Sequence, residues 1–196
     1  MGAGPLEEGA GAEVAPRVRA FFGLPVPDAQ RGALGAFLAA SAEAAPRFRW
    51  TPATNLHLTL RFVGSVDRGL VEGIAERLDG LALPSFELEL GELGMFKRGR
   101  LVRVVWQGLR SGTEAVTELA ARVDAECEAA GIAGENRAFQ AHLTLARARA
   151  RDGAELPPLP SPPRLAPWHA GEVVLYASRL SKTGAVYEPL ATMKLD

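Results

Sequence analysis

One four-residue sequence occurs twice in this chain, and each copy begins with a histidine. His57 to Leu60 and His142 to Leu145 both read His-Leu-Thr-Leu, although the chain contains only three histidines. Polar and apolar residues alternate through both copies, which is typical of a strand with one buried face. Residues i and i+2 of a strand share a face and lie about 6.6 Å apart. Each copy therefore predicts a strand that presents an imidazole and a threonine hydroxyl on one face and leucines on the other.

The composition limits the kind of protein this can be. A chain of 196 residues with 47% hydrophobic residues fits one domain or two small lobes with a shared core. Its net charge of -1 argues against a long nucleic-acid groove, which needs a strongly basic face. The single cysteine, Cys127, excludes an internal disulfide and indicates a reducing compartment. No apolar run approaches the ~20 residues of a membrane span. We therefore expect a cytoplasmic protein without a membrane segment.

The pattern along the chain predicts helices that alternate with pairs of strands. Residues 1–16 are rich in Gly, Ala and Glu and are expected to be a disordered tail, which leaves 17–196 as a single domain. Asp28 and Asp67 are candidate helix caps. Strands are predicted at 17–23, 48–50, 55–63, 86–93, 100–109, 138–147, 171–178 and 185–194, and helices at 28–45, 67–78 and 113–130. Turns are predicted at 94–99 and 182–184, and a proline-rich extended connector at 156–167. This order predicts an α+β fold with mainly antiparallel sheet. The repeat suggests two pseudo-symmetric lobes.

The repeated residues suit hydrolysis of a phosphodiester. That reaction needs a base for the attacking water and an acid for the leaving oxygen, and imidazole performs either role near neutral pH. Threonine hydroxyls can donate hydrogen bonds to the non-bridging oxygens. Arg147 would add positive charge, but it follows His142 by five residues. Strict alternation places it on the opposite face, so it reaches the site only if the strand bends or ends there.

Other chemistries fit the motifs less well. Zinc sites use three or four His, Cys, Asp or Glu ligands, and neither histidine has a cysteine or carboxylate within two residues. The chain has no Gly-x-Ser-x-Gly elbow and no Walker-type loop. We therefore expect no metal and no cofactor. A plain structural role remains open for a His-x-Thr pair on a strand, and His169, which lies outside both motifs, is interpreted as structural or exposed.

The two motifs and their neighbours resemble the 2H phosphoesterase superfamily, and within it the RNA 2′,3′-cyclic phosphodiesterases, also called 2′-5′ RNA ligase-like proteins. The likeness runs through Phe21-Phe22 and residues 50–64, 94–106, 139–147 and 175–187. One departure is Gln140-Ala141, where this family often has a proline. The resemblance implies a two-lobed α+β fold, with helices outside and the site in a cleft between the lobes.

The resemblance also implies an activity, the opening of a nucleoside 2′,3′-cyclic phosphate to a 2′-phosphate without a metal. At the positions that match the family's motifs, the resemblance implies that His57 is the acid that protonates the 3′-oxygen and that His142 is the base that activates water. Thr59 and Thr144 hold the phosphate oxygens, and Arg147 is a further phosphate or base contact.

A base-stacking residue is expected by analogy at Phe22 or Phe139. The basic residues Lys97, Arg98 and Arg100 form either a solvated turn or a guide for an RNA end.

The expected partners are RNA ends or nucleotides with a 2′,3′-cyclic phosphate, bound by a monomer. Two alternatives remain open. The first is a non-catalytic module that binds RNA ends or nucleotides, and the second is ligation of 2′-5′ ends.

Overall fold

A computed structural model describes residues 16–181 and 184–196, which form nine strands, three α-helices and one short 3-10 helix, Ala53–Asn55. The strands are β1 (Arg17–Pro25), β2 (Phe48–Trp50), β3 (His57–Asp67), β4 (Phe86–Arg98), β5 (Leu101–Ser111), β6 (Leu143–Ala148), β7 (Trp168–Ala170), β8 (Glu172–Ser181) and β9 (Gly184–Lys194). The helices are α1 (Asp28–Ala44), α2 (Arg68–Asp79) and α3 (Thr113–Ala129). The predicted N-terminal tail, apart from Pro16, and most of the predicted turn at 182–184 lie outside the described residues.

All strands pair antiparallel in the order β7-β4-β5-β6-β3-β1-β8-β9, and β2 adds to β6 beside β3. The two repeated strands, β3 and β6, meet in the middle through the pair Leu58–Leu143. Outward from this junction the sheet reads β3-β1-β8-β9 in one direction and β6-β5-β4-β7 in the other. The predicted α+β fold with two pseudo-symmetric antiparallel halves is confirmed, and both halves belong to one sheet.

The helices cover one face of this sheet, here called the helix face. Leucines of both repeats, Leu58 (1% exposed) and Leu143 (0%), point into a core shared with Leu34 of α1, Ile74 of α2 and Val123 of α3. Each buried leucine contributes about 1.5–3 kcal/mol of hydrophobic stabilisation, and this fixes which face each strand turns inward. The opposite face, called the site face, therefore carries the residues that alternate with these leucines.

The predicted turn at 94–99 is wrong, because β4 continues to Arg98 and the chain reverses at Gly99 and Arg100. Gly94 serves packing instead of turning. A Cβ atom at this position would lie 2.2 Å from the ring of Trp106 on the paired strand. Gly99 has a φ of 58°, a left-handed conformation that favours glycine.

Several boundaries differ from the sequence-based prediction. Asp28 is the first residue of α1 and not its cap, which is Pro27, whereas Asp67 caps α2 as predicted by accepting a hydrogen bond from the Leu70 amide (3.1 Å). Strand β6 begins only at Leu143, and β7 was not predicted. The proline-rich segment 156–167 contains no helix or strand, as predicted. No helix in the described ranges has the length and apolar character needed to cross a membrane.

Candidate active site

The junction of β3 and β6 brings the two repeats together. Antiparallel pairing of Leu58 with Leu143, continued by one residue each way, sets His57 beside Thr144 and Thr59 beside His142. Because both leucines face the helices, these four side chains share the site face. Directly opposed residues have Cβ atoms about 4.5–5.5 Å apart, and diagonal ones about 7–8 Å. The two imidazoles therefore lie diagonally across a small group of hydroxyls.

Both imidazoles are held by the same local hydrogen bond. Nδ1 of His57 lies 2.7 Å from the carbonyl oxygen of Asn55, and Nδ1 of His142 lies 2.7 Å from that of Gln140. A carbonyl oxygen only accepts, so Nδ1 carries a hydrogen and donates it in each case. This fixes the tautomer of the neutral rings, and among the described residues no hydrogen bond engages Nε2 of either histidine, so this atom can exchange a proton.

A β-bulge brings Arg147 to the site face. Val105 of β5 pairs with Ala146 and the next residue, Trp106, pairs with Thr144, which leaves Leu145 without a partner. Leu145 and Ala146 are both fully buried as a result. The extra residue reverses the alternation, so Arg147 returns to the face of His142. The bend that the sequence analysis required is this bulge.

The first repeat contains the same irregularity. Phe22 of β1 pairs with Arg61 and the next residue, Gly23, pairs with Thr59, so Leu60 is the extra residue. Leu60 and Arg61 are both 4% exposed, and Phe62 then emerges on the site face with 52% of its surface exposed. Sequence reasoning missed Phe62, although its five-residue spacing from His57 matches that of Arg147 from His142.

Aromatic rings surround each imidazole. The Phe21 ring centroid lies 4.7 Å from that of His57, and Tyr187 meets the same imidazole edge-on at 5.1 Å. On the other half, Phe96 meets His142 edge-on at 5.2 Å, and Trp106 lies at 6.0 Å. These contacts restrict ring rotation and reduce the access of water to both histidines.

Neither residue that was expected to stack on a base, Phe22 or Phe139, lies beside the imidazoles. Phe22 has 0% exposure and lies in the core, because its neighbour Phe21 takes the site face of β1. A side chain with no accessible surface cannot stack on a base, so the interpretation of Phe22 is wrong. Phe139 is partly buried and packs against the same core, and no ring contact joins it to either imidazole within the described residues.

The environment favours neutral imidazoles in the unliganded protein. Burial lowers the pKa of His57 from 6.5 to about 4, opposed by the hydrogen bond to Asn55 and assisted by the charges of Arg147 and His142. Burial also lowers the pKa of His142, opposed by its bond to Gln140 and assisted by Arg147. An anion bound between the rings would offset Arg147 and raise both pKa values.

The remaining candidate residues lie away from this group. His169 is exposed on β7, at one end of the sheet order. Lys97, Arg98 and Arg100 lie at the exposed β4–β5 turn, where Arg98 forms an ion pair with Asp152. Within residues 16–181 and 184–196, no three His, Cys, Asp or Glu side chains converge as a metal site would require.

The chain is similar to proteins of a known family. The profile of the family described as "LigT like Phosphoesterase" matches residues 24–106 and 109–187, which include both repeats. An RNA 2′,3′-cyclic phosphodiesterase of Aeropyrum pernix is 37% identical over 93 residues, which are 47% of this chain and 53% of that protein. The chain thus aligns with about half the length of that relative. An RNA 2′,3′-cyclic phosphodiesterase of Escherichia coli is 32% identical over 138 residues, 70% of this chain and 74% of the relative.

A solved structure shows the same fold. The crystal structure of Escherichia coli LigT complexed with 3′-AMP superposes with a TM-score of 0.77 at 28% identity, and the match covers 92% of this chain and 99% of that one. With the family profile matched over both halves of the sheet, this chain belongs to the LigT-like phosphoesterase family.

Proposed function

We propose that this protein hydrolyses 2′,3′-cyclic phosphates at the ends of RNA or on nucleotides, and that it releases a 2′-phosphate without using a metal. The observation that carries the proposal is the pair of His-x-Thr repeats side by side at the β3–β6 junction, each with a free imidazole Nε2. The activity for which the relatives in Aeropyrum pernix and Escherichia coli are named supports the choice of substrate.

The site contains the groups needed for this reaction. His142 Nε2 takes a proton from a water molecule whose oxygen forms a new bond to phosphorus, and the bond from phosphorus to the ribose 3′-oxygen breaks. His57 Nε2 donates a proton to that leaving oxygen. Thr59 and Thr144 donate hydrogen bonds to the non-bridging oxygens, and Arg147 offsets their charge. Proton exchange with water then restores both rings.

Substrate binding would favour protonation of the acid, with the proton taken from solvent. Because burial and Arg147 lower both histidine pKa values, the unliganded site favours two neutral rings. The negative phosphate raises both pKa values when it binds, so one ring can hold a proton while the other stays neutral. The assignment of acid to His57 and base to His142 follows the family resemblance.

Phe62 replaces Phe22 and Phe139 as the proposed stacking residue. It is the exposed aromatic side chain that the bulge in β3 presents beside the catalytic group. An exposed ring at a nucleotide site offers a base a stacking surface, which is worth about 1–3 kcal/mol.

All groups named so far come from one chain, and we propose that the protein acts as a monomer without a cofactor. Buried Cys127 is consistent with a cytoplasmic location.

The decisive experiment measures turnover of an RNA that ends in a 2′,3′-cyclic phosphate, with EDTA present, and separates 2′- from 3′-phosphate products. Alanine at His57 or His142 should each lower kcat by ~10² or more. His169→Ala is the matched control, since this third histidine is exposed on β7, and it should retain full activity. Binding without turnover in the wild type would instead identify a binding module, and activity lost only on adding EDTA would refute metal independence.

A further inference from the structure

Two arginines stand directly opposite each other next to the proposed site. Arg49 of β2 is the cross-strand partner of Arg147 of β6, and both side chains are exposed. Directly opposed residues on antiparallel strands share a face, and like charges in that position repel each other and destabilise the sheet. The pair therefore has an energetic cost that packing alone does not explain.

Among the described residues, no carboxylate compensates this charge. Within the described residues neither Arg49 nor Arg147 has an acidic group within 4.0 Å, whereas a minority of the other arginines do. Those with such a partner are Arg31, Arg61, Arg68, Arg77, Arg98, Arg110 and Arg179. Each guanidinium has several parallel N–H donors. Two such groups without an acidic partner on one face can together bind two oxygens of a phosphate.

The fold fixes Arg49 in this position. Its neighbours Phe48 and Trp50 pair with Ala148 and Ala146 and pack into a second small core on the opposite face. Phe48 is 1% exposed. The backbone of this three-residue strand is thus anchored on both sides of Arg49, which keeps the guanidinium on the site face, one strand beyond Arg147.

The chemistry of the proposed substrate identifies the phosphate group that these two arginines would bind. A chain that ends in a 2′,3′-cyclic phosphate has nothing beyond it on the 3′ side, so any second phosphate lies on the 5′ oxygen of the terminal nucleotide. We propose that Arg49, together with Arg147, forms a subsite for this 5′-linked phosphate. The inference rests on the proposed function. The phosphate belongs either to the RNA backbone or to a free 5′-phosphorylated nucleotide.

Three substrates test the subsite: adenosine 2′,3′-cyclic phosphate, its 5′-phosphorylated form, and diadenylate with a terminal 2′,3′-cyclic phosphate. The wild type should show kcat/KM about tenfold or more higher for the two that carry a 5′-linked phosphate, because a charge-assisted bond to phosphate contributes about that factor. Arg49→Ala should remove this preference and leave turnover of the substrate without a 5′-phosphate within about twofold. The matched control is Arg122→Ala, which removes an arginine of α3 that has no ion pair among the described residues.

The results distinguish a phosphate of the RNA backbone from that of a free nucleotide. They also distinguish failure of the subsite from failure of the proposed function. A preference for the diadenylate alone indicates the RNA backbone, and an equal preference for both indicates the phosphate itself. If Arg49→Ala loses the same factor in kcat/KM on all three substrates, or loses none on any of them, the proposed subsite is overturned. If the wild type turns over none of them, the proposed function fails. Binding of a 5′-fluorescein-labelled triadenylate then still tests the subsite, since Arg49→Ala should weaken it about tenfold and make it less dependent on salt.

A stability measurement guards against a structural explanation. Because the two arginines repel each other, Arg49→Ala should have a melting temperature equal to or above that of the wild type. A lowered melting temperature together with reduced activity on every substrate would show that Arg49 supports the fold and would overturn the proposal.

Discussion

Phe62 and Arg147 occupy equivalent places in the two halves of the sheet. Each follows its histidine by five residues, and each is brought to the site face by a bulge after its threonine. The internal symmetry thus places an apolar ring at one end of the site and a permanent cation at the other. A nucleotide has matching parts, a base and a phosphate.

Replacing Phe62 should weaken substrate binding more than it slows the chemical step. Phe62→Ala removes the proposed stacking surface, which is worth about 1–3 kcal/mol per base, so KM should rise roughly tenfold while kcat changes less. Steady-state kinetics on adenosine 2′,3′-cyclic phosphate measures both. Leu70→Ala is the control, because Leu70 is 39% exposed and belongs to α2, on the helix face of the sheet. An unchanged KM for Phe62→Ala would remove stacking from the proposal.

The pH profile should lie on the acidic side of the ordinary histidine range. The proposed reaction needs one neutral and one protonated imidazole, and burial lowers the pKa values of both His57, to about 4, and His142. The bell-shaped profile of kcat/KM, which reports the free enzyme, should therefore have its maximum below pH 6.5.

Removing the charge of Arg147 should shift this profile. The cation lowers the pKa of both histidines, so Arg147→Gln should raise both values and move both limbs to higher pH, with a lower maximum because the proposed phosphate contact is lost. The kcat/KM profile of the variant against that of the wild type checks this. A profile that falls in height without moving would show that Arg147 does not act on the imidazoles.

Stability should also depend on pH through His57. Its pKa is about 4 in the folded protein and 6.5 for an unperturbed ring, so the unfolded chain binds the proton first as the pH falls. Neutral His57 therefore contributes to the free energy of unfolding. This contribution is fully present above pH 6.5, and roughly 3 kcal/mol of it is lost as the pH falls towards 4. Urea unfolding at pH 7.5 and 4.5 should show a smaller loss for His57→Gln than for the wild type. Leu70→Ala, an exposed control on α2 that removes no ionisable group, should lose as much as the wild type.

Arg61 should matter for stability more than any exposed arginine. It is 4% exposed, and its Nε and Nη1 atoms lie 2.8 Å from Asp124 and 2.7 Å from Glu135. Arg61→Ala removes a buried guanidinium and leaves partly buried Asp124 without its partner, which should lower the free energy of unfolding by about 3 kcal/mol. Arg77→Ala, which breaks an exposed pair with Glu126, should cost about 1 kcal/mol or less in the same urea titration. Equal losses would contradict the role of Arg61 in holding β3 against α3.

Local patterns were enough to predict most elements. The alternation around His57 and His142 predicted which residues share a face, because the two-residue period of a strand is set by its own backbone. The Asp67 cap of α2 was predicted for a similar reason, since a capping side chain bonds to an amide three residues away. Gly94 was misread as a turn residue, because its packing partner Trp106 is on another strand.

The sequence by itself determined that two strands each present a histidine and a threonine on one face, and the proposed chemistry rests on this pattern. Only the tertiary structure decided that Arg147 and Phe62 join them, that Phe21 and not Phe22 faces the site, and that Arg49 opposes Arg147. The physical reason is that a bulge is an excess of one residue over the partner strand. Leu60 and Leu145 can be buried in either register, and only the pairing with β1 and β5 fixes which one forms.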